Sequence, residues 1–138
     1  MCGFWGYIGV QKDSTADLIV NASNLLKKRG DDGFGQVESD RFVFLHARLN
    51  LNGEGSQGNQ PFEIGSKIVL YNGELYNKSQ IIKQFKRPVG SSDTALLKYL
   101  LGFNTLAQIA ETINGMYAIS VYDRKTEKLE LTVDSYGQ

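Results

Sequence analysis

A chain of 138 residues, 41% of them hydrophobic, is long enough to bury one core and too short for two independent ones, so a single domain over residues 1–138 is expected. Fifteen lysines and arginines balance fifteen aspartates and glutamates without a long run of like charge, which removes the usual signals for nucleic acid or an anionic membrane. One cysteine and one histidine allow neither a disulfide framework nor a zinc site built from those two residue types.

No apolar stretch approaches the roughly 20 residues that span a bilayer. Met1-Cys2-Gly3 lacks the basic and apolar regions of a secretory signal, so a cytoplasmic location is expected, with a small molecule or another protein as partner.

In chain order, Gly3 to Val10 mixes aromatic and β-branched residues with glycine and reads as a strand. Ser14-Thr15-Ala16-Asp17 has capping-box character. Leu18, Ile19, Ala22, Leu25 and Leu26 then recur at helical spacing, and Lys27-Lys28-Arg29 closes the last turn with cations. Gly30 to Gly35 reads as a glycine and aspartate loop. Arg41 to Arg48 and Lys67 to Tyr71 read as strands separated by a long polar segment, a kind of loop that is often functional. Asn72-Gly73 is expected to end the second of these strands. Helical patterns follow at Lys78 to Phe85, Thr94 to Leu101 and Leu106 to Ile113. Met116 to Tyr122 and Leu129 to Val133 make a hairpin-like pair across Asp123-Arg124-Lys125-Thr126. Strands and helices in blocks, rather than in strict alternation, predict an α+β fold with antiparallel sheet covered by helices.

Cysteine is small, and small residues after an initiator methionine favour its removal, so the mature chain is expected to begin at Cys2. Its free α-amine, with a reference pKa of roughly 7.7 to 8.0, then serves as the thiol's own general base, and no catalytic histidine is required. His46, the one histidine, lies in an apolar strand pattern and reads as structural. Position alone also allows Cys2 to be a buried small hydrophobe. Asn72 and the backbone N–H of Gly73 have the parts of an oxyanion hole, and equally those of a plain Asn-Gly turn. Arg48 at a strand end has the planar fork that holds a carboxylate, and also suits a solvated surface. Asp93 before a helix suits a substrate ammonium or an N-cap. Taken together, these residues supply what a free amino acid amide such as glutamine requires.

The chain resembles the class II glutamine amidotransferases, N-terminal-nucleophile hydrolases that include the N-terminal glutaminase half of asparagine synthetase. The resemblance runs through Met1-Cys2-Gly3 with Trp5-Gly6, Arg29-Gly30 with Asp32 and Gly35, His46-Ala47-Arg48-Leu49 and Gln60-Pro61. It continues through Tyr71-Asn72-Gly73-Glu74-Leu75-Tyr76-Asn77, Ser92-Asp93, and Asn114-Gly115-Met116-Tyr117-Ala118 to Tyr122-Asp123. The Asn-Gly-Glu-Leu-Tyr-Asn wording is most similar to the asparagine synthetase branch.

The resemblance implies an αββα sandwich of antiparallel sheets between helices and hydrolysis of glutamine to glutamate and ammonia. It implies Cys2 as nucleophile with its α-amine as base, and Asn72 with the Gly73 N–H as oxyanion hole. Arg48 would hold the glutamine carboxylate with help from backbone near Leu49 and Leu51, while Asp93 and Glu74 would hold the ammonium. The hydrolytic half-reaction then needs no metal or organic cofactor.

Two departures stand out. Asp31 replaces a usual proline, and Val133-Asp134 lacks the arginine that ordinarily precedes the aspartate. No Ser-Gly-Gly-x-Asp-Ser motif is present, so the chain is expected to be a fragment, an excised domain or half of a split system. ATP and magnesium would belong to a separate synthetase domain or subunit, with aspartate as the expected acceptor of ammonia. The alternatives are an amidotransferase with a different acceptor and a catalytically silent module that binds glutamine or a protein partner.

Overall fold

The computed structural model describes residues 2–49, 58–85, 89–90 and 92–137. Its order is β1 (Gly3–Ile8), α1 (Asp13–Lys27), β2 (Gly33–Ser39), β3 (Phe42–Arg48), β4 (Phe62–Ile64), β5 (Lys67–Leu75), α2 (Lys78–Ile82), α3 (Asp93–Leu101), α4 (Leu106–Thr112), β6 (Gly115–Asp123) and β7 (Lys128–Val133). Every strand pairing is antiparallel, so the chain is α+β as the block order predicts. The contacts divide it into two compact units: residues 2–49 with 59–61, and residue 58 with the described residues from 62 onward.

In the first unit, β3 is the centre of a three-stranded sheet ordered β1-β3-β2. Its alternate residues Val43, Leu45 and Ala47 pack with Ala22 and Leu26 of α1, and Trp5 and Ile19 join the edge of this cluster. The side of α1 that is covered follows Thr15, Ile19, Ala22 and Leu26, a strict i, i+4, i+7, i+11 stripe. Leu18 and Leu25, expected on that face, are 49% and 65% exposed. Thr15 rather than Ser14 organises the helix start, its hydroxyl accepting the Lys12 N–H at 3.0 Å. β2 begins at Gly33, inside the loop expected over Gly30 to Gly35, and runs on to Ser39. Its two glycines mask an in-out alternation that pairs from Gly33↔Arg48 to Ser39↔Phe42.

The second unit is a four-stranded sheet ordered β4-β5-β6-β7. Val69, Tyr71, Tyr117, Ile119 and Val121 on one face pack against Leu96, Leu97, Leu100 and Leu101 of α3, with Leu106 and Ile109 of α4 and Ile81 of α2. The apolar side chains beneath the helices thus form one cluster in each unit, because each sheet carries its own helices on one face. The α3 and α4 helices start as their sequences direct: Ser92 Oγ accepts the Ala95 N–H at 3.0 Å, and Thr105 with Gln108 forms a capping box. The β6–β7 hairpin is present as predicted.

Its turn has a pH signature. The Lys125 N–H, followed by the Ser66 hydroxyl, holds the Asp123 carboxyl below its ordinary value of 3.8, with Thr126 N–H and Lys67 adding to the effect. A carboxyl depressed by folding stabilises above its unfolded value and loses that contribution as pH falls through the folded one. Asp123→Asn should therefore flatten the acid limb of a urea-midpoint series below about pH 4 and leave its neutral limb sloping as in wild type. An unchanged acid limb would show that the turn contributes nothing to acid sensitivity.

Candidate active site

Cys2 lies immediately before β1 and is half-buried. The Leu49 N–H points at Cys2 Sγ at 3.3 Å, and the sulfur is 3.7 Å from the Leu49 carbonyl oxygen. On the other side of the residue, Arg29 Nε donates to the Cys2 carbonyl at 3.2 Å. Two consequences of the α1 ending thus reach the cysteine. Arg29, a cation expected at the helix C-terminus, fixes the backbone of Cys2, and Gly30 lets the chain rest on the β3 exit. A Cβ on Gly30 would lie 2.5 Å from the Arg48 carbonyl carbon and 2.7 Å from Leu49 N, so only glycine permits that approach. Asp32 N–H also donates to the Arg48 carbonyl at 3.1 Å.

Arg48 is the last residue of β3, as predicted, and its Nη1 donates to Asn59 Oδ1 at 3.1 Å. It lines a cavity of about 370 Å3 in the first unit, shared with Asp32, His46, Asn59 and Gln60. Cys2 is not on the wall of that cavity. His46 is buried within β3, at 1% exposure. The first unit therefore brings Cys2 to the Leu49 backbone, while the Arg48 side chain lines the cavity with Asn59. Leu51 and Met1 lie outside the described residues.

Asn72, Gly73 and Glu74 belong to the second unit and differ from expectation in one respect. β5 does not end at Tyr71. It continues through Leu75, with Asn72↔Ala118, Gly73↔Tyr117 and Glu74↔Met116 in register with β6. The Asn-Gly dipeptide is therefore strand, and the turn reading of it fails. Glycine is required for another reason: Gly73 has φ +152°, and a Cβ there would stand 2.0 Å from the Met116 carbonyl oxygen. A Cβ on Gly115, which faces Leu75 across the same pair, would meet the Glu74 carbonyl oxygen at 2.1 Å. These two glycines let β5 and β6 close at the point where the Asn-Gly-Glu run lies. Asn77 secures the next residues, donating from Nδ2 to the Thr112 carbonyl at 2.9 Å and accepting the Asn114 N–H at 2.8 Å. Alternation from the helix-facing Tyr71 puts Asn72, half-buried, on the opposite face of the sheet, while Glu74 is exposed.

Asp93 begins α3 without capping it, since Ser92 does that. Its Oδ2 accepts the Leu75 N–H at 2.9 Å and the Tyr71 hydroxyl at 3.1 Å, and Lys78 Nζ stands 2.8 Å from Oδ1. The carboxylate is thereby fixed at the end of the Asn-Gly-Glu-Leu run. Asn59 and Lys78 carry no motif, and the contacts of Arg29 and Tyr71, though both lie in motifs, join segments distant in sequence and leave no local pattern. Further along, the Tyr117 N–H donates to Asp134 Oδ2 at 3.1 Å, and burial, followed by the Asp134 charge, raises the Tyr117 hydroxyl above its ordinary value.

The family model of the glutamine amidotransferase domain matches residues 1–138, the whole chain. The chain is 30% identical over 154 aligned residues to asparagine synthetase [glutamine-hydrolyzing] 3 of Bacillus subtilis (strain 168), covering 99% of this chain and 24% of that protein. Against asparagine synthetase B [glutamine-hydrolyzing] of Escherichia coli (strain K12) the identity is 24% over 145 residues, covering 99% and 26%. With the nodule asparagine synthetase [glutamine-hydrolyzing] of Pisum sativum it is 38% over 88 residues, covering 61% and 15%. The chain spans about a quarter of the length of the first two relatives. Among the described residues no helix is long and apolar enough to cross a membrane. With a match that runs from its first residue to its last, this chain belongs to the glutamine amidotransferase domain family.

Proposed function

We propose that this domain hydrolyses glutamine to glutamate and ammonia through a thioester on Cys2 and delivers the ammonia to a synthetase domain or subunit that uses aspartate. The observation that carries the proposal is the seating of Cys2, whose sulfur meets the Leu49 N–H while its carbonyl is held by Arg29. A cysteine serving only as core filler needs neither contact.

In the proposed reaction, removal of Met1 frees the α-amine, which takes the Cys2 thiol proton. The thiolate attacks the γ-carboxamide carbon, and the resulting oxyanion is received by Asn72 Nδ2 and the Gly73 N–H. Collapse breaks the C–N bond and ammonia leaves with the proton returned by the α-amine. Water then cleaves the thioester, which gives glutamate and restores the thiol. Arg48 holds the α-carboxylate, with backbone at Leu49 and Leu51. Asp93 and Glu74 hold the α-ammonium. The closing test is glutamate release by processed chain with glutamine as the sole substrate. No release above a Cys2→Ala background would contradict the proposal.

The carboxylate clamp has its own test. Arg48→Lys keeps the charge and loses the planar two-bond fork, so the glutamine KM should rise about tenfold or more while kcat changes less. Reactivity of Cys2 towards a small alkylating agent should stay at the wild-type level. Unchanged kinetics would return Arg48 to a surface role.

A further inference from the structure

The two oxygens of Asp93 have different duties. Oδ2 is saturated by the protein: the Leu75 N–H and the Tyr71 hydroxyl fix it against β5. That leaves Oδ1 as the oxygen through which this carboxylate can take a cation from outside. Oδ1 is buried and already has one, the Lys78 ammonium at 2.8 Å. The contact is an ion pair, and Oδ1 has no hydrogen bond beside it. The α2 helix does not call for a lysine there either. Lys78 is the first residue of α2, the end at which the backbone dipole disfavours a cation.

Taking Asp93 as the ammonium ligand of the reading above, we infer that Lys78 is a specificity-determining residue: its ammonium stands in for the glutamine α-ammonium on Asp93 Oδ1, and glutamine must displace it to bind. Lys78 is 26% exposed at its side chain, so it can swing into solvent without disturbing a core. The displacement sets a threshold that only ligands bringing their own cation overcome, and ligands without an amino group leave the pair intact.

The test measures ligand Kd by calorimetry on a Cys2→Ala background, which removes turnover and any dependence on the nucleophile. Two ligands are compared, glutamine and its des-amino analogue 4-carbamoylbutanoate. Lys78→Met, which keeps the apolar stem and removes the charge, should lower the glutamine Kd roughly two- to fivefold, the range of a partly exposed ion pair, and leave the analogue's Kd unchanged. Lys78→Gln should do the same, and Lys78→Arg should bind glutamine no more tightly than wild type. A glutamine Kd that is unchanged or higher in both neutral variants overturns the inference, as does an equal gain for the analogue. Asp93→Asn separates the two levels of the claim. If it weakens glutamine binding while the Lys78 variants fail, Asp93 is the ammonium ligand and Lys78 is not its competitor. If it leaves the glutamine Kd unaltered, both assignments fall together.

Discussion

Asn72→Ala should lower kcat by roughly 10²–10³ and change glutamine affinity little, because the amide is proposed to bind charge that develops only after attack. The location of Asn72 sharpens this expectation. It lies inside β5, paired with Ala118, so replacement removes a side chain and leaves the ladder as it is. Melting temperature should therefore stay within a few degrees of wild type, as for substitutions that create neither a large cavity nor an unpaired buried group. Active-site titration on the same sample gives turnover per competent site. A stable protein with slow turnover supports the oxyanion role. A destabilised one with normal turnover per titrated site would assign Asn72 to the sheet alone.

A chain carrying one extra residue before Cys2 that cannot be removed should lose about 10²- to 10⁴-fold in kcat, the usual contribution of a positioned general base. The extension turns the α-amine into a peptide nitrogen, which cannot accept a proton at neutral pH, and removes the thiol from the chain end. His46 offers no substitute, being buried inside β3 at 1% exposure. The control is glutamine affinity, which should survive because the proposed carboxylate and ammonium ligands are untouched. Full activity in the extended protein would mean that the thiol uses another base.

The α+β class and most elements were legible in the sequence because their patterns are local. The β6–β7 hairpin, α3 and α4 follow from period-2 and period-3.6 spacing with capping residues at their starts. The α1 stripe was legible in period, with Ile19, Ala22 and Leu26 covered as expected, but it sits to one side of the expected arc, since Leu18 and Leu25 are exposed and Thr15 is covered. Chemistry of side chains alone does not say which edge of an apolar arc meets the sheet. β2 was invisible because its glycines signal loop, while its pairing is enforced by β3 across the whole strand. Asn72-Gly73 was misplaced for a similar reason: as a dipeptide it favours a turn, but contact with Met116 and Tyr117 draws it into the sheet.

Among the candidate site residues, Cys2 and Arg48 were legible by position, one near the chain start and one at a strand end. Of the two readings of Asp93, cap and ligand, the cap is excluded because Ser92 takes that place. Arg29 and Tyr71 lie in motifs of the resemblance and Lys78 in none, and the contacts all three make to Cys2 and Asp93 emerge only when the chain is folded.

The most direct test of the central claim is covalent capture of Cys2 by a glutamine-mimicking diazoketone, read by intact mass and peptide mapping on chain that begins at Cys2. The account predicts one adduct per chain, on the Cys2 sulfur, protected by glutamine and absent in Cys2→Ala. No adduct on the processed protein, or equal labelling of Cys2→Ala, would contradict it.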